Sequence, residues 1–127
     1  MAAKGKIVIV TGGHKGIGKE IVRGLMKENG KIYITTRNMI KCKETVDEIT
    51  KEFPHNPPNS LLYFHCDLAD FESIQKFVTE FKKDLRKKVK LHLLFCAAEV
   101  KWGRRRWTSQ GIELQFGVSR ELNYIYT

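Results

Sequence analysis

A glycine-rich segment between a predicted strand and a predicted helix is the most constraining feature of this sequence. Residues 11–18 follow the apolar run at residues 7–10 and lead into apolar residues at helical spacing, which are Ile17, Ile21, Val22 and Leu25. Backbone N–H groups and the positive end of a helix dipole meet at such a junction and bind phosphate there. The pattern predicts a nucleotide-binding site, the simpler alternative being that the glycines only end the strand.

Each glycine of this segment has a distinct expected role. Gly12 can take a positive φ in the tight turn, Gly16 lets the backbone approach a pyrophosphate, and Gly18 lets the helix pack against the strand. The cofactor-binding residues predicted in this segment are Gly12, His14, Lys15, Gly16, Ile17 and Gly18.

Alternating apolar runs and amphipathic stretches predict an α/β fold. Strands are expected at about residues 6–11, 31–36, 61–66 and 89–95. A first helix is expected at about residues 17–29. A second is expected to begin after the cap Asn38 and stop at Pro54, and a third to run from the cap Asp70 to Leu85. Strands that alternate with helices pair in parallel through right-handed crossovers. We therefore expect a Rossmann-like, doubly wound parallel sheet with strand order 3-2-1-4.

The glycine spacing departs from G-x-G-x-x-G and instead reads Thr-Gly-x-x-x-Gly-Ile-Gly, which resembles the cofactor motif of the short-chain dehydrogenase/reductase family. Residues 31–38 resemble the second strand of that family, Cys66-Asp67-Leu68 resembles the Asp-Leu pair after its third, and residues 91–95 resemble its fourth. Residues 107–118 are similar to the stretch before its interface helix, most of all in retinol-dehydrogenase-like members. The resemblance implies a nicotinamide cofactor and covers nearly the whole chain.

Charge at the end of the second strand predicts which nicotinamide cofactor binds. An NAD site places a carboxylate there for the ribose 2′-hydroxyl, whereas a 2′-phosphate is attracted by a guanidinium. The sequence offers Arg37 at this position and no acid before Glu44. Lys15 is a second cation, and in family members this pair of basic positions goes with NADP. Either residue alone can be a solvated surface charge, but together they favour NADP.

Three further cofactor-binding residues follow from the resemblance alone. It implies that Asp67 accepts a hydrogen bond from the adenine amino group and that Leu68 lies beside the ring; without it, Asp67 is equally a turn or cap residue. Family members carry Asn-Asn-Ala-Gly after the fourth strand, and of these residues only Ala98 is retained here. Glu99 replaces the final glycine, so its carboxylate opposes a polyanion unless Lys101 or Arg104 pairs with it.

The family's proton relay is absent from these 127 residues. A phenol needs a neighbouring cation to act near neutral pH, and the family supplies it as Tyr-x-x-x-Lys, a pattern that occurs nowhere here. Asn123 matches the family's interface-helix asparagine only if residues 119–122 are an insertion. We therefore expect residues 1–127 to be the N-terminal NADP-binding part of the domain, with the sheet truncated after the fourth strand and the catalytic half absent.

For the complete enzyme the resemblance implies reversible hydride transfer between NADP(H) and a small lipophilic alcohol or carbonyl substrate. Two alternatives remain open. One is a catalytically inactive, truncated form that binds NADP or a partner. The other is a basic nucleic-acid-binding module, suggested by the net charge of +9 and by ten basic side chains within residues 82–106. No nucleic-acid motif accompanies this charge, so we expect a solvated helix end and a basic loop beside an anionic cofactor.

Composition adds expectations about location and metals. No apolar run in the sequence approaches the length of a membrane span, which is roughly 18 residues, and there is no apolar signal region. We therefore expect a soluble, cytoplasmic chain. Whether it forms oligomers is left open. Three cysteines without metal-ligand spacing predict reduced core or near-core thiols and no metal. The four histidines fall in different elements without carboxylate partners, which favours surface or strand positions over catalysis.

Overall fold

The computed structural model of the chain describes residues 5–85 and 90–98. The described residues form two compact units. The first contains residues 5–65 and 90–97, and the second contains residues 66–85 together with residue 98. The predicted glycine loop and the whole sheet belong to the first unit.

The first unit is a four-stranded parallel sheet with two helices. Its strands are β1 (Ile7–Thr11), β2 (Lys31–Thr36), β3 (Leu61–His65) and β4 (Leu93–Cys96), in the order β3-β2-β1-β4. Its helices are α1 (Gly16–Lys27) and α2 (Met39–Glu52), and α3 (Phe71–Leu85) belongs to the second unit. The predicted α/β, Rossmann-like fold and the strand order 3-2-1-4 are confirmed.

Local sequence signals set the ends of the helices. Asn38 accepts a hydrogen bond from the N–H of Lys41 at 3.1 Å and thereby caps α2, as predicted. That helix ends at Glu52, two residues before Pro54. The prediction for α1 was too long, because Asn29 adopts a left-handed φ of 60° and the N–H of Gly30 returns to the carbonyl of Leu25 at 3.0 Å.

The prediction for β4 was also wrong at its start, since residues 90–92 are not part of the strand. The N–H of Ile7 donates to the Nδ1 of His92 at 3.0 Å, and the N–H of His92 donates to the carbonyl of Ile7 at the same distance. The imidazole of His92 therefore accepts a hydrogen bond that a backbone carbonyl of the neighbouring strand accepts in regular pairing. Regular pairing of β4 with β1 begins one residue later, at Leu93 opposite Val8.

One face of the sheet and both helices enclose the core of the first unit. Alternate residues of the two central strands, among them Val10 and Ile34, pack with the inner side chains of α1 and α2. The core cluster consists of Val8, Val10, Val22, Leu25, Met26, Ile32, Ile34, Cys42, Val46, Ile49 and Leu61. This packing fixes α1 and α2 against the sheet within the first unit.

Ile17, Met39 and Cys96 are exposed rather than in the core. Ile17 is 72% exposed and Met39 is 39% exposed. Each lies at the start of its helix, and helical side chains lean toward the helix N-terminus, so these two extend past the sheet. Cys96, expected in or near the core, is exposed at the end of the short strand β4, whereas Cys42 and Cys66 are buried.

In the second unit, α3 follows the predicted pattern. The carboxylate of Asp70 accepts the N–H of Glu72 at 3.1 Å at the start of the helix. Ile74, Phe77 and Phe81 are buried on one side of α3, and the rings of the last two lie 5.8 Å apart. No helix in the described part of the chain is long and apolar enough to cross a membrane.

Candidate functional site

The loop between β1 and α1 begins with a tight turn at Gly12. This residue has a φ of 66°, which favours glycine, and its N–H donates to the carbonyl of Thr35 at 3.1 Å. The carbonyl belongs to β2, so the turn is attached to the end of the neighbouring strand. The Thr11 hydroxyl donates to the carbonyl of Phe95 at 3.4 Å and attaches the same point to β4.

Gly18 allows the first turn of α1 to lie directly on this glycine turn. A Cβ added at Gly18 would lie 2.3 Å from the carbonyl oxygen of Gly12, a distance that no side chain tolerates. Sequence analysis predicted contact with the strand, and the structure places the contact at the turn that follows it. Gly13 is restricted less severely, since a Cβ there would lie 3.0 Å from the side chain of Ile34. Sequence reasoning missed Gly13, although the doublet Gly12-Gly13 was the available signal.

Gly16 opens α1 and faces free space. Its φ is 58°, and no atom lies within 4 Å of the position that a Cβ would take. Lys15 is the N-cap residue of α1 and makes no side-chain capping hydrogen bond, and the first turn of the helix contains no acid. The first N–H groups of a helix have no intrahelical partner, so a helix start with neither a capping side chain nor an acid suits an anion.

The loop therefore fits a pyrophosphate by an observation independent of the motif. A helix of 12 residues presents its positive end without a side-chain cap, beside a glycine whose Cβ position is open. The N-terminus of α2 differs from that of α1, because the side chain of Asn38 caps it.

Three exposed cations surround the loop, and we refer to Lys15, Arg37 and Lys41 as the cationic cluster. Lys15 lies in the loop, Arg37 directly follows β2, and Lys41 lies in the first turn of α2. None of the three forms an ion pair within the described residues. Lys41 was missed by sequence reasoning, and its position three residues after the cap Asn38 was the signal that could have revealed it.

His14 lies between the loop and the end of β2. Its Nδ1 is 3.4 Å from the hydroxyl oxygen of Thr36, and its backbone carbonyl accepts the hydroxyl of Thr45 from α2 at 3.0 Å. Burial lowers the pKa of His14, and the charges of Lys15, Lys41 and Arg37 lower it further. All three members of the cationic cluster thus act electrostatically on one imidazole.

The structure places the other predicted cofactor residues in the second unit. One carboxylate oxygen of Asp67 accepts the N–H of Ala69 at 2.9 Å, which is the local turn contact that the alternative interpretation proposed. Leu68 is buried and Ala98 is half-buried. Asn123 and Glu99 lie outside the described residues. The structure therefore brings together Gly12, His14, Lys15, Gly16, Ile17, Gly18 and Arg37 in the first unit.

Comparison with known proteins identifies the family. The family model for short chain dehydrogenases matches residues 6–110, so the chain belongs to the short-chain dehydrogenase family. A short-chain dehydrogenase/reductase of Armillaria gallica is 40% identical over 116 residues, which are 91% of this chain and 35% of that protein. Retinol dehydrogenase 12 of Mus musculus is 32% identical over 123 residues, which are 97% of this chain and 37% of that protein.

A solved structure shows the same fold. A metagenomic short-chain oxidoreductase in complex with NADP superposes with a TM-score of 0.72 at 21% identity, over 98% of this chain and 54% of that one. The chain thus spans a little over a third of the two relatives and about half of this structure.

Proposed function

We propose that this chain is the NADP(H)-binding part of a short-chain oxidoreductase. The observation that carries the proposal is the juxtaposition of the uncapped N-terminus of α1 with a cationic cluster that has no carboxylate partner within the described residues. The N-terminus accounts for one phosphate-binding site, and the cluster accounts for a second, separate negative charge. NADP(H) is a dinucleotide that carries both groups, a pyrophosphate for the N-terminus of α1 and an additional 2′-phosphate for the cluster.

The chain's own residues have defined roles in this proposal. Backbone N–H groups at Gly16, Ile17 and Gly18 would hold the pyrophosphate, because they open α1 and carry no intrahelical partner. Arg37 and Lys15 would hold the 2′-phosphate, with Lys41 as a third cation. The bound cofactor supplies the hydride, and the protein residues bind and orient it.

The preference for NADP over NAD depends on charge at the end of β2. NAD sites place a carboxylate there, and here the residues that follow the strand are the cation Arg37 and the neutral Asn38. The structure uses Asn38 as a helix cap, so its side-chain oxygen is engaged with the N–H of Lys41. Neither residue supplies the anionic acceptor that a ribose 2′-hydroxyl requires.

The complete protein would transfer a hydride between NADP(H) and a small lipophilic alcohol or carbonyl compound. Membership of the family supports the reaction type, and the relative named retinol dehydrogenase 12 supports the substrate class. Asp67, Leu68 and Ala98 would contribute to the adenine and ribose sites as the family motifs imply. The three cysteines are free thiols, which suits the reducing cytoplasm that we propose as its location.

The test is a pair of titrations that follow protein fluorescence. The chain should bind NADPH more tightly than NADH by about 1–3 kcal/mol, which is roughly 5- to 150-fold in Kd. The substitution Arg37→Ala should remove most of that preference. Arg23→Ala is the matched control, since Arg23 also lies on the first unit but is held by glutamates. Equal Kd values for the two cofactors in the unaltered chain would contradict the proposal.

A further inference from the structure

His14 occupies a position that neither the glycine turn nor the pyrophosphate site requires. The turn needs Gly12 for its φ and Gly18 for its close approach, and the side chain of the residue between Gly13 and Lys15 is free to vary on both grounds. The structure nevertheless holds this residue from two sides. Thr45 fixes its backbone carbonyl, and Thr36 contacts its ring.

Among the described residues, the charged groups that act on the imidazole are all cations: Lys15 from the loop, Arg37 from the end of β2 and Lys41 from α2. The Thr36 hydroxyl contacts the ring itself, and the Thr45 hydroxyl donates to the backbone carbonyl of His14. The thiol of Cys42 forms a hydrogen bond with Thr36. Burial raises the pKa of that thiol to about 11, so it stays neutral near pH 7. Burial and these three charges lower the pKa of the imidazole, which favours its neutral form in the absence of an anion.

An anion within the cationic cluster reverses this balance. A phosphate dianion placed among the three cations offsets their repulsion of a fourth positive charge, and it attracts an imidazolium directly. Protonated His14 has two N–H donors. Nδ1–H can donate to the Thr36 hydroxyl oxygen, and Nε2–H is then left for a phosphate oxygen.

We propose that His14 is a proton-linked ligand of the 2′-phosphate of NADP(H), so that binding of the phosphate is accompanied by uptake of one proton from solvent onto the imidazole. The inference rests on the proposed function, because it assigns the 2′-phosphate to the cationic cluster. It makes His14 a determinant of cofactor choice whose contribution depends on pH.

The sign of the effect follows from linkage. If the bound anion raises the pKa of His14, affinity for NADPH is greatest at low pH and falls as pH rises from the value in the free protein to the value in the complex. The phosphate itself titrates near pH 6, so about three-quarters of it is dianionic at pH 6.5 and about nine-tenths at pH 7. Any proton that the phosphate loses on binding has the opposite sign, so net proton uptake reports the imidazole rather than the ligand.

The first experiment uses the full chain and isothermal titration calorimetry. NADPH binding is measured in buffers that differ in ionisation enthalpy, between about pH 6.5 and 8, and NADH is titrated in parallel. We expect net proton uptake with NADPH approaching one per site at the lower pH, little uptake with NADH, and NADPH affinity that falls about three- to tenfold over this range. Proton uptake that is equal for both cofactors would assign His14 to the pyrophosphate and overturn the proposal.

Variants give the second readout. His14→Asn keeps a polar side chain and should abolish both proton uptake and the pH dependence of NADPH affinity. His55→Asn, which alters an exposed histidine of the connector after α2, is the matched control and should change neither. If the preference for NADPH survives in the unaltered chain without proton uptake, this inference fails while the proposed function stands. If NADPH and NADH bind equally, the proposed function fails and this inference fails with it.

Discussion

Two groups of basic side chains near α1 differ in what surrounds them. Lys19 and Arg23 project from α1 onto glutamates: Lys19 Nζ lies 3.0 Å from Glu48, and Arg23 bonds both Glu48 and Glu52 at 3.0–3.1 Å. We refer to Lys19 and Arg23 as the paired cations. The cationic cluster at the glycine loop has no such partner among the described residues, although α2 borders both groups.

The arrangement of charge along α2 produces this difference. Its first turn contains no acid and carries Lys41, whereas Glu48 and Glu52 lie in its second half. The helix dipole favours the opposite order and disfavours a cation near the N-terminus by about 0.3–1 kcal/mol. The order costs stability in the free protein, and it is favourable only when an anion binds beside the cluster. The comparison therefore separates cations that pair with carboxylates within the fold from cations that, in the proposed function, bind a ligand.

The largest expected effect comes from disturbing the close contact between α1 and the glycine turn, because this contact positions Lys15 of the cationic cluster. Gly18→Ala places a Cβ against the carbonyl of Gly12, so the first turn of α1 must shift and carry Lys15 with it. We expect a loss of about 1–3 kcal/mol in the free energy of unfolding and loss of NADPH binding. Urea unfolding and fluorescence titration measure the two effects.

Gly24→Ala is the matched control in the same helix. No atom lies within 4 Å of the Cβ position at Gly24, so the substitution meets open space. Alanine is the better helix former, and we expect a gain of about 0.5–1 kcal/mol with NADPH binding unchanged. Equal effects of the two substitutions would show that the close contact between α1 and the glycine turn is not what holds the loop.

The second prediction separates the cap of α2 from the charge of the cluster. Asn38→Ala removes the acceptor for the N–H of Lys41 and should cost about 1 kcal/mol in the free energy of unfolding. Asn38→Asp keeps an acceptor and should restore that stability. It also places a carboxylate beside Arg37, so NADPH should bind less tightly while NADH should bind as well or better. Thermal unfolding and parallel titrations check this, and an Asp variant that binds NADPH as tightly as the unaltered chain would contradict the role given to the cluster.

Much of the fold was predictable, and the reason is local. Asn38 caps its helix, β2 was predicted at its observed bounds, and the parallel order of the strands follows from alternation of strands and helices. The places of Gly12, Gly16 and Gly18 were predictable for the same reason, since a turn and a helix start lie within eight residues, whereas the restriction at Gly13 was missed. Periodicity identifies the inner side of a helix, but it does not show which residues of α2 meet the glycine loop.

What escaped prediction depends on packing between elements distant in sequence. The place of Lys41 depends on how α2 packs beside the glycine loop, and the contact between His14 and Thr36 depends on the pairing of β1 with β2. Likewise, nothing in the sequence pairs Arg23 with Glu52, which is 29 residues away. Ile17 shows a different limit of prediction. Its spacing predicts a position on the inner side of α1, but it lies in the first turn of the helix and is exposed.

The smallest predicted effect concerns the paired cations and their dependence on pH. The hydrogen bond from Lys19, followed by the charge of Lys19, lowers the pKa of Glu48 below its ordinary value of 4.5. A carboxyl whose pKa is lower in the folded state stabilises the fold above the unfolded value, and that contribution disappears as pH falls through the folded value. Glu48→Gln should therefore lower Tm by a small amount at pH 7 and by progressively less as the pH falls below 4.5. The pairs are exposed to solvent, so added salt should shrink the difference at pH 7.

Asp47→Asn serves as the control, because Asp47 is exposed on the same helix and takes no part in these ion pairs. It should change Tm less than Glu48→Gln at pH 7. Cofactor titrations on both variants complete the test, since loss of a pairing carboxylate away from the loop should leave the preference for NADPH intact. A Tm difference for Glu48→Gln that does not shrink as the pH falls below 4.5, or one accompanied by altered cofactor choice, would show that the two groups of cations are not independent. The division of α2 into a stabilising half and a ligand-facing first turn would then be wrong.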